Sequence, residues 1–334
     1  MKTVKFFLIG FVAILFISQI QSCDNGPIAG TVYSPSSTEW EDLRAAALEK
    51  FIQRKTIDIN SYVVNFMSAK GVELNIYTYC LEFEDGTPID QTGKVDLEYI
   101  EIFDKGSMLV TNKPTMGHSG DGRKQLIETG GEFYVNVTQG GKKVVSTCPS
   151  FMNLLVPKAL TTDEPDMSLW SGEIDENGNL TWVEENKENG GDLNQERGGV
   201  FGEGANYYVY FGKFGWTNID RFINFLGEKT PILVAPPFGF NHKNCAVYVS
   251  VDGEGQNLLA QLDVFTEKGY FSEHYGNLPI GLDIHLIFVS VQNGKWLFAV
   301  KGVKVEKDKV FSFKADELKT GTEAELTAVV SALM

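Results

Sequence analysis

In the nine residues Lys94-Val95-Asp96-Leu97-Glu98-Tyr99-Ile100-Glu101-Ile102, polar and apolar types alternate from Lys94 to Tyr99 and again from Ile100 to Ile102. A period of two sends successive side chains to opposite faces of a pleated strand, which predicts one buried face and one wet one. The signature recurs between Thr56 and about Pro157: Glu73 to Tyr77 alternates, and Glu132 to Val137 follows the pair Gly130-Gly131. Turn chemistry separates these runs, at Glu84-Asp85-Gly86-Thr87-Pro88 and at Gln139-Gly140-Gly141-Lys142. Short strands at such spacing predict an antiparallel sandwich.

Ahead of the strands, Ser37 or Thr38 is placed to cap a helix whose apolar positions Trp40, Leu43, Ala47 and Phe51 recur at helical spacing, with Arg54-Lys55 suited to its C-terminal end. Behind them, residues 158–200 are acidic and polar and read as a linker. Asp175-Glu176-Asn177-Gly178-Asn179 is a hairpin turn within it, between Met167 to Gly172 and Leu180 to Val183. Strand patterns resume at Asn206 and continue to Phe313. The expected fold is mostly β: two antiparallel β-sandwich-like domains with a short N-terminal helix. The expected organisation is a signal peptide at 1–22, a tether at 23–37, the helix and first sandwich at 38–160, an acidic linker with a hairpin at 161–200, and a second β-rich domain at 201–334.

The signal peptide rests on Lys2 and Lys5 preceding an apolar run from Phe6 to Phe16, too short for the roughly twenty residues of a spanning helix. An ordinary cut after Ser22 would put bulky Ile20 where a small residue is favoured. Ile20-Gln21-Ser22-Cys23 instead resembles the lipobox of bacterial lipoproteins, although Gln21 is not the usual middle residue. That resemblance implies a diacylated Cys23 at the mature N-terminus and a protein held at a membrane by lipid, with nothing spanning the bilayer.

The formal charge of −15 argues against nucleic acid and anionic lipid surfaces as partners. Beyond Cys23 the cysteines are Cys80, Cys148 and Cys245, without CxxC spacing, so zinc is not expected. Export permits one disulfide with one thiol left over, and single buried cysteines acting as small apolar residues are equally compatible.

Asp85-Gly86-Thr87-Pro88, Gly93-Lys94-Val95, Glu101-Ile102-Phe103-Asp104-Lys105-Gly106, Met108-Leu109, Pro114-Thr115, Leu126 and Glu128-Thr129-Gly130-Gly131-Glu132-Phe133 together resemble a β-sandwich module of exported lipoproteins of Bacteroidota-type bacteria. Phe214-Gly215-Trp216-Thr217-Asn218-Ile219-Asp220-Arg221-Phe222 resembles a Gly-Trp-x-Asn-x-Asp-Arg-Phe signature that follows the module in the same group. Other members often carry Cys where Ile219 stands, which weakens any reading that depends on a reactive thiol there. The resemblance implies a fold and an outer-membrane location, and it transfers no catalytic residue.

Trp216, Asn218, Asp220 and Arg221 are the densest set of residues with chemistry to offer. One reading is a ligand site, in which the indole stacks on a sugar and the charges orient a carboxylate or hydroxyl. The other is a buried ion-paired turn pinning one sheet to another, favoured because Asp and Arg rarely enter apolar surroundings without a partner. Asp175 to Asn179 and Asp252-Gly253-Glu254-Gly255 lack the spaced bidentate Glu of a calcium loop. The histidines His118, His242, His274 and His285 have no metalloprotease spacing; His118 reads as a loop residue, and none has an evident partner. Ser119 lies outside any nucleophile elbow. The reading is therefore a lipid-anchored envelope protein with a binding, assembly or surface-structural role. Its expected partners are the membrane, through the lipid, and an envelope protein or glycan; no cofactor, metal or catalytic residue is assigned. The alternative is an envelope hydrolase acting on glycans or peptides.

Overall fold

The computed structural model describes residues 33–118, 124–161, 164, 166–176, 178–185, 199–273 and 278–333. Cys23, Ser119, His274, the signal segment and most of the expected tether lie outside them. Residues Met1–Tyr33 and Ser34–Met334 are separate units, and everything below concerns the second.

Lys94–Ile102 pairs antiparallel with the long strand Gln125–Gln139, from Asp96 opposite Thr138 to Ile102 opposite Glu132. On its other side the long strand pairs with Gly215–Phe222, followed by Ser168–Ile174 and Leu180–Glu184, within a nine-stranded sheet edged by Gln53–Asp58. Val95, Leu97, Tyr99, Phe133, Val135, Val137 and Ile219 line one face of it. They pack against Leu74, Ile76, Leu154, Val156 and Val209 of a second, five-stranded sheet built from Gly199–Glu203, Asn206–Phe211, Met152–Pro157, Glu73–Tyr77 and Val63–Met67. This is the sandwich that the alternation predicts.

The opposite face is also covered. Ile100 and Ile102 join a second core with Trp40 and Ala47 of the helix Ser37–Glu49, Met108 to Val110 of the helix Lys105–Thr111, and Leu326 and Val330 of the helix Glu323–Ser331. Tyr248, Ile287, Val289, Trp296 and Phe298 of a C-terminal five-stranded sheet close this core. Lys94–Ile102 therefore has a wet face only in its first half, because its second half runs under the helices. Trp40 meets Trp296 edge to face at 5.8 Å. The fully buried Lys105 donates through Nζ to Ser250 Oγ at 3.2 Å and to the Leu333 carbonyl.

Three local expectations shift by small amounts. Ser36, not Ser37 or Thr38, caps the first helix, with Glu39 completing the capping box. Arg54 belongs to the edge strand and binds Glu49 and Glu98 there. The hairpin at Asp175 to Asn179 is present, and its strands are members of the nine-stranded sheet with Trp170 and Trp182 fully buried, so its polar surroundings mark wet turns within a sheet. The division expected near residue 200 falls between strands that share two sheets: Asn206–Phe211 pairs with Met152–Pro157, and Gly215–Phe222 with Gln125–Gln139. Cβ-bearing apolar residues from both sides of that boundary fill one core.

Opposite Ile219 the long strand carries two residues, Gly130 and Gly131, so the register slips between Asn218 and Asp220. Gly131 has φ +136°, and a Cβ there would approach Phe103 to 2.7 Å and Phe133 to 2.8 Å. Replacing it with alanine forces both strain and overpacking, and Gly131→Ala is expected to lower the urea-unfolding free energy by about 2–4 kcal/mol.

Cys80 and Cys148 form a disulfide with a Cα separation of 5.4 Å, spanning 68 residues, and Cys245 remains a buried free thiol. Closing a loop of that length restricts the unfolded chain, so Cys148→Ser should cost about 2–5 kcal/mol in the same measurement.

Candidate functional site

On the strand Gly215–Phe222 the pleat puts Trp216, Asn218 and Asp220 on the side facing the helices and Ile219 in the sandwich core. The half-buried Trp216 ring lies 5.3 Å from Tyr134 and 6.4 Å from Trp182, and the Lys113 ammonium sits 5.0 Å from its centroid. Asn218 and Asp220 are fully buried. Asn218 Oδ1 accepts from Thr129 Oγ1 and from the Ile219 backbone N–H, both at 2.7 Å, while its Nδ2 donates to Asp220 Oδ2 at 2.6 Å. Asp220 Oδ1 has no hydrogen-bond partner.

Arg221 does not pair with its neighbour in sequence. It points away from Asp220 and binds Glu128, directly opposite on the long strand, through Nε at 2.8 Å and Nη2 at 2.6 Å, with Glu164 at 3.4 Å. Glu128 also accepts from Asn257 at 2.9 Å, tying the C-terminal part of the chain to this strand pair. The four sequence-predicted residues thus lie on one strand, not on a turn, and form two polar groups on opposite faces.

Two residues that the sequence reading missed complete the buried group. Glu132 stands opposite Asn218 across the strands, is fully buried, and neither carboxyl oxygen has a hydrogen-bond partner among the described residues. Lys113 follows Asn112, whose left-handed conformation (φ 55°) ends the helix Lys105–Thr111, and is 5 % exposed. A visible trace of Glu132 was its place at an inward position between Gly130-Gly131 and Phe133-Tyr134-Val135.

Burial pushes the Glu132 carboxyl well above the usual carboxylate range; Asp220 nearby adds to this and Lys113 opposes it. Burial likewise raises Asp220, against the hydrogen bond it accepts from Asn218. The Lys113 ammonium is pulled down to about 8, first by burial and then by Arg44. Burial therefore holds both acids toward their protonated forms in the folded protein, and the group is sealed from solutes. A glycosidase needs its two carboxyl groups open to a sugar, and this pair is not.

The remaining candidates are engaged locally. Asp252 Oδ1 lies 2.6 Å from His285 Nδ1, a partner the sequence did not reveal. His242 stacks on Phe265 at 5.0 Å, and His118 belongs to the short strand Met116–His118. Asp175 Oδ1 accepts from the Asn179 backbone N–H at 2.8 Å, as a turn aspartate does. At the surface, a groove of about 400 Å³ between the edge strands Gln53–Asp58 and Val63–Met67 is lined by Lys55, Ile57, Asn65, Phe66 and Met67. No family model, curated protein or solved structure matches the chain.

A carboxyl group raised by folding binds more protons in the folded chain than in the unfolded one. Its stabilisation is complete below the ordinary carboxylate range and is lost as pH climbs toward the folded value, at up to about 1.4 kcal/mol per pH unit for each group. Asp220→Asn keeps an acceptor for Asn218 and removes one such group. Between pH 5 and 8 its urea-unfolding free energy should fall less steeply than that of the wild type; equal slopes would show that Asp220 ionises in the folded state.

Proposed function

We propose that this chain is a lipid-anchored protein of the cell envelope, at the outer membrane, with a binding, assembly or surface-structural role and no catalytic one. The observation that carries the reading is Ile20-Gln21-Ser22-Cys23 at the end of a basic and apolar N-terminal segment. The Cys80–Cys148 disulfide suits an oxidising compartment outside the cytoplasm. The resemblance to envelope lipoproteins of Bacteroidota-type bacteria points the same way. Tyr62, Met67 and Tyr79, each more than half exposed, supply the apolar surface that an envelope protein or glycan ligand would contact. Sealing of Glu132 and Asp220 speaks against the hydrolase.

Lipidation decides the reading. In cells fed labelled palmitate, the wild-type chain should carry label and partition with membranes, and Cys23→Ser should do neither. A mature N-terminus found unmodified by mass spectrometry would defeat the proposal.

A further inference from the structure

We propose that Lys113 and Asn218 become joined by an intramolecular isopeptide bond between the helix-to-strand segment and the central sheet. The electrophile is already prepared. Two donors at 2.7 Å, Thr129 Oγ1–H and the Ile219 N–H, converge on Asn218 Oδ1 as they would on the oxyanion of an acyl-transfer intermediate. The leaving nitrogen, Nδ2, is held at 2.6 Å by Asp220 Oδ2. The nucleophile is a buried amine whose Nζ rests over Trp216, two residues before Asn218 on the same face of the strand. Among the described residues its hydrogen bonds go only to the carbonyls of Thr111 at 3.3 Å and Asn112 at 3.5 Å, long contacts that a rotamer change in its four-carbon stem would give up. Directly across from Asn218, Glu132 offers a carboxyl group with both oxygens unengaged. A buried, unsatisfied acid is costly unless it has a task, and moving a proton between two nitrogens is one that suits it.

The step balances without a co-reactant. The lone pair of neutral Lys113 Nζ attacks Asn218 Cγ, and the carbonyl electrons move to Oδ1 under the Thr129 and Ile219 donors. One carboxyl oxygen of Glu132 takes a proton from Nζ while the other returns one to Nδ2. The Cγ–Nδ2 bond then breaks, ammonia leaves, and a secondary amide remains. Glu132 ends neutral, as it began. The lowered affinity of Lys113 for its proton and the raised affinity of Glu132 for its own both favour this sequence.

The product is read by peptide mass. Trypsin does not cut between Lys113 and Pro114, so full-length folded chain, reduced and alkylated after denaturation, should give residues 106–123 and 214–221 as one joined species. Its mass should be the sum of the two peptides less one ammonia. Two separate peptides of unmodified mass from the wild type would overturn the proposal. A joined species less one water would overturn the Asn218 assignment by placing the acyl group on Asp220. Lys113→Arg keeps the charge and cannot form this amide, so a joined species persisting in that variant would also defeat it.

Discussion

The hydrogen-bond ladders on both sides of Gln125–Gln139 carry more of this structure than any other contact. One side takes Lys94–Ile102 and the other takes Gly215–Phe222, segments far apart in sequence that are brought into one sheet only through this strand. Once it is placed, one of its faces packs on the second sheet of the sandwich and the other on the helices and the C-terminal sheet. From Leu126 to Phe133 the strand is buried on both faces and leaves no wet side for polar residues, so every polar group there must be satisfied internally or stay neutral. Glu128 is satisfied by Arg221 and Asn257, Thr129 by Asn218, and burial pushes Glu132 toward its protonated form.

The Gly130–Gly131 bulge decides which of these meetings occur. Without the extra residue, Thr129 would not stand opposite Asp220 while Glu132 stands opposite Asn218. A one-residue difference in pairing also carries Arg221 to Glu128. Two polar groups with opposite fates, one sealed, the other ion-paired and partly exposed, thus follow from a local irregularity that only glycine accommodates.

How far the sequence could be read depended on the range of the interaction concerned. Alternation from Lys94 to Ile102, the turn at Asp175 to Asn179 and the helix bearing Trp40 are set by neighbours a few residues away, and they were legible. The second buried face of Lys94–Ile102 was missed: its mark in the strand is confined to Ile100 and Ile102, apolar residues in the phase of Lys94, Asp96 and Glu98, and its cover comes from distant residues such as Met108, Tyr248 and Trp296. Asp220 and Arg221 invited pairing because they are adjacent, although a pleated strand separates adjacent side chains; the true partner, Glu128, is fixed by register. Lys113 and Glu132 were passed over because neither residue type announces burial. The pairing of Cys80 with Cys148, with Cys245 left out, likewise depends on which strands become neighbours.

The first helix and the residues flanking it rest on the last third of the chain: Trp40 on Trp296, Lys50 on Glu323 at 2.7 Å, and Ser34 on the carbonyl of Gly239. During synthesis the N-terminal end emerges first and finds no surface to cover its indole until residues near 240 to 330 have followed. A chain built this way cannot complete its fold in the order in which it is made. Its early segment has to wait, extended or transiently held by another protein, until the late strands return to it.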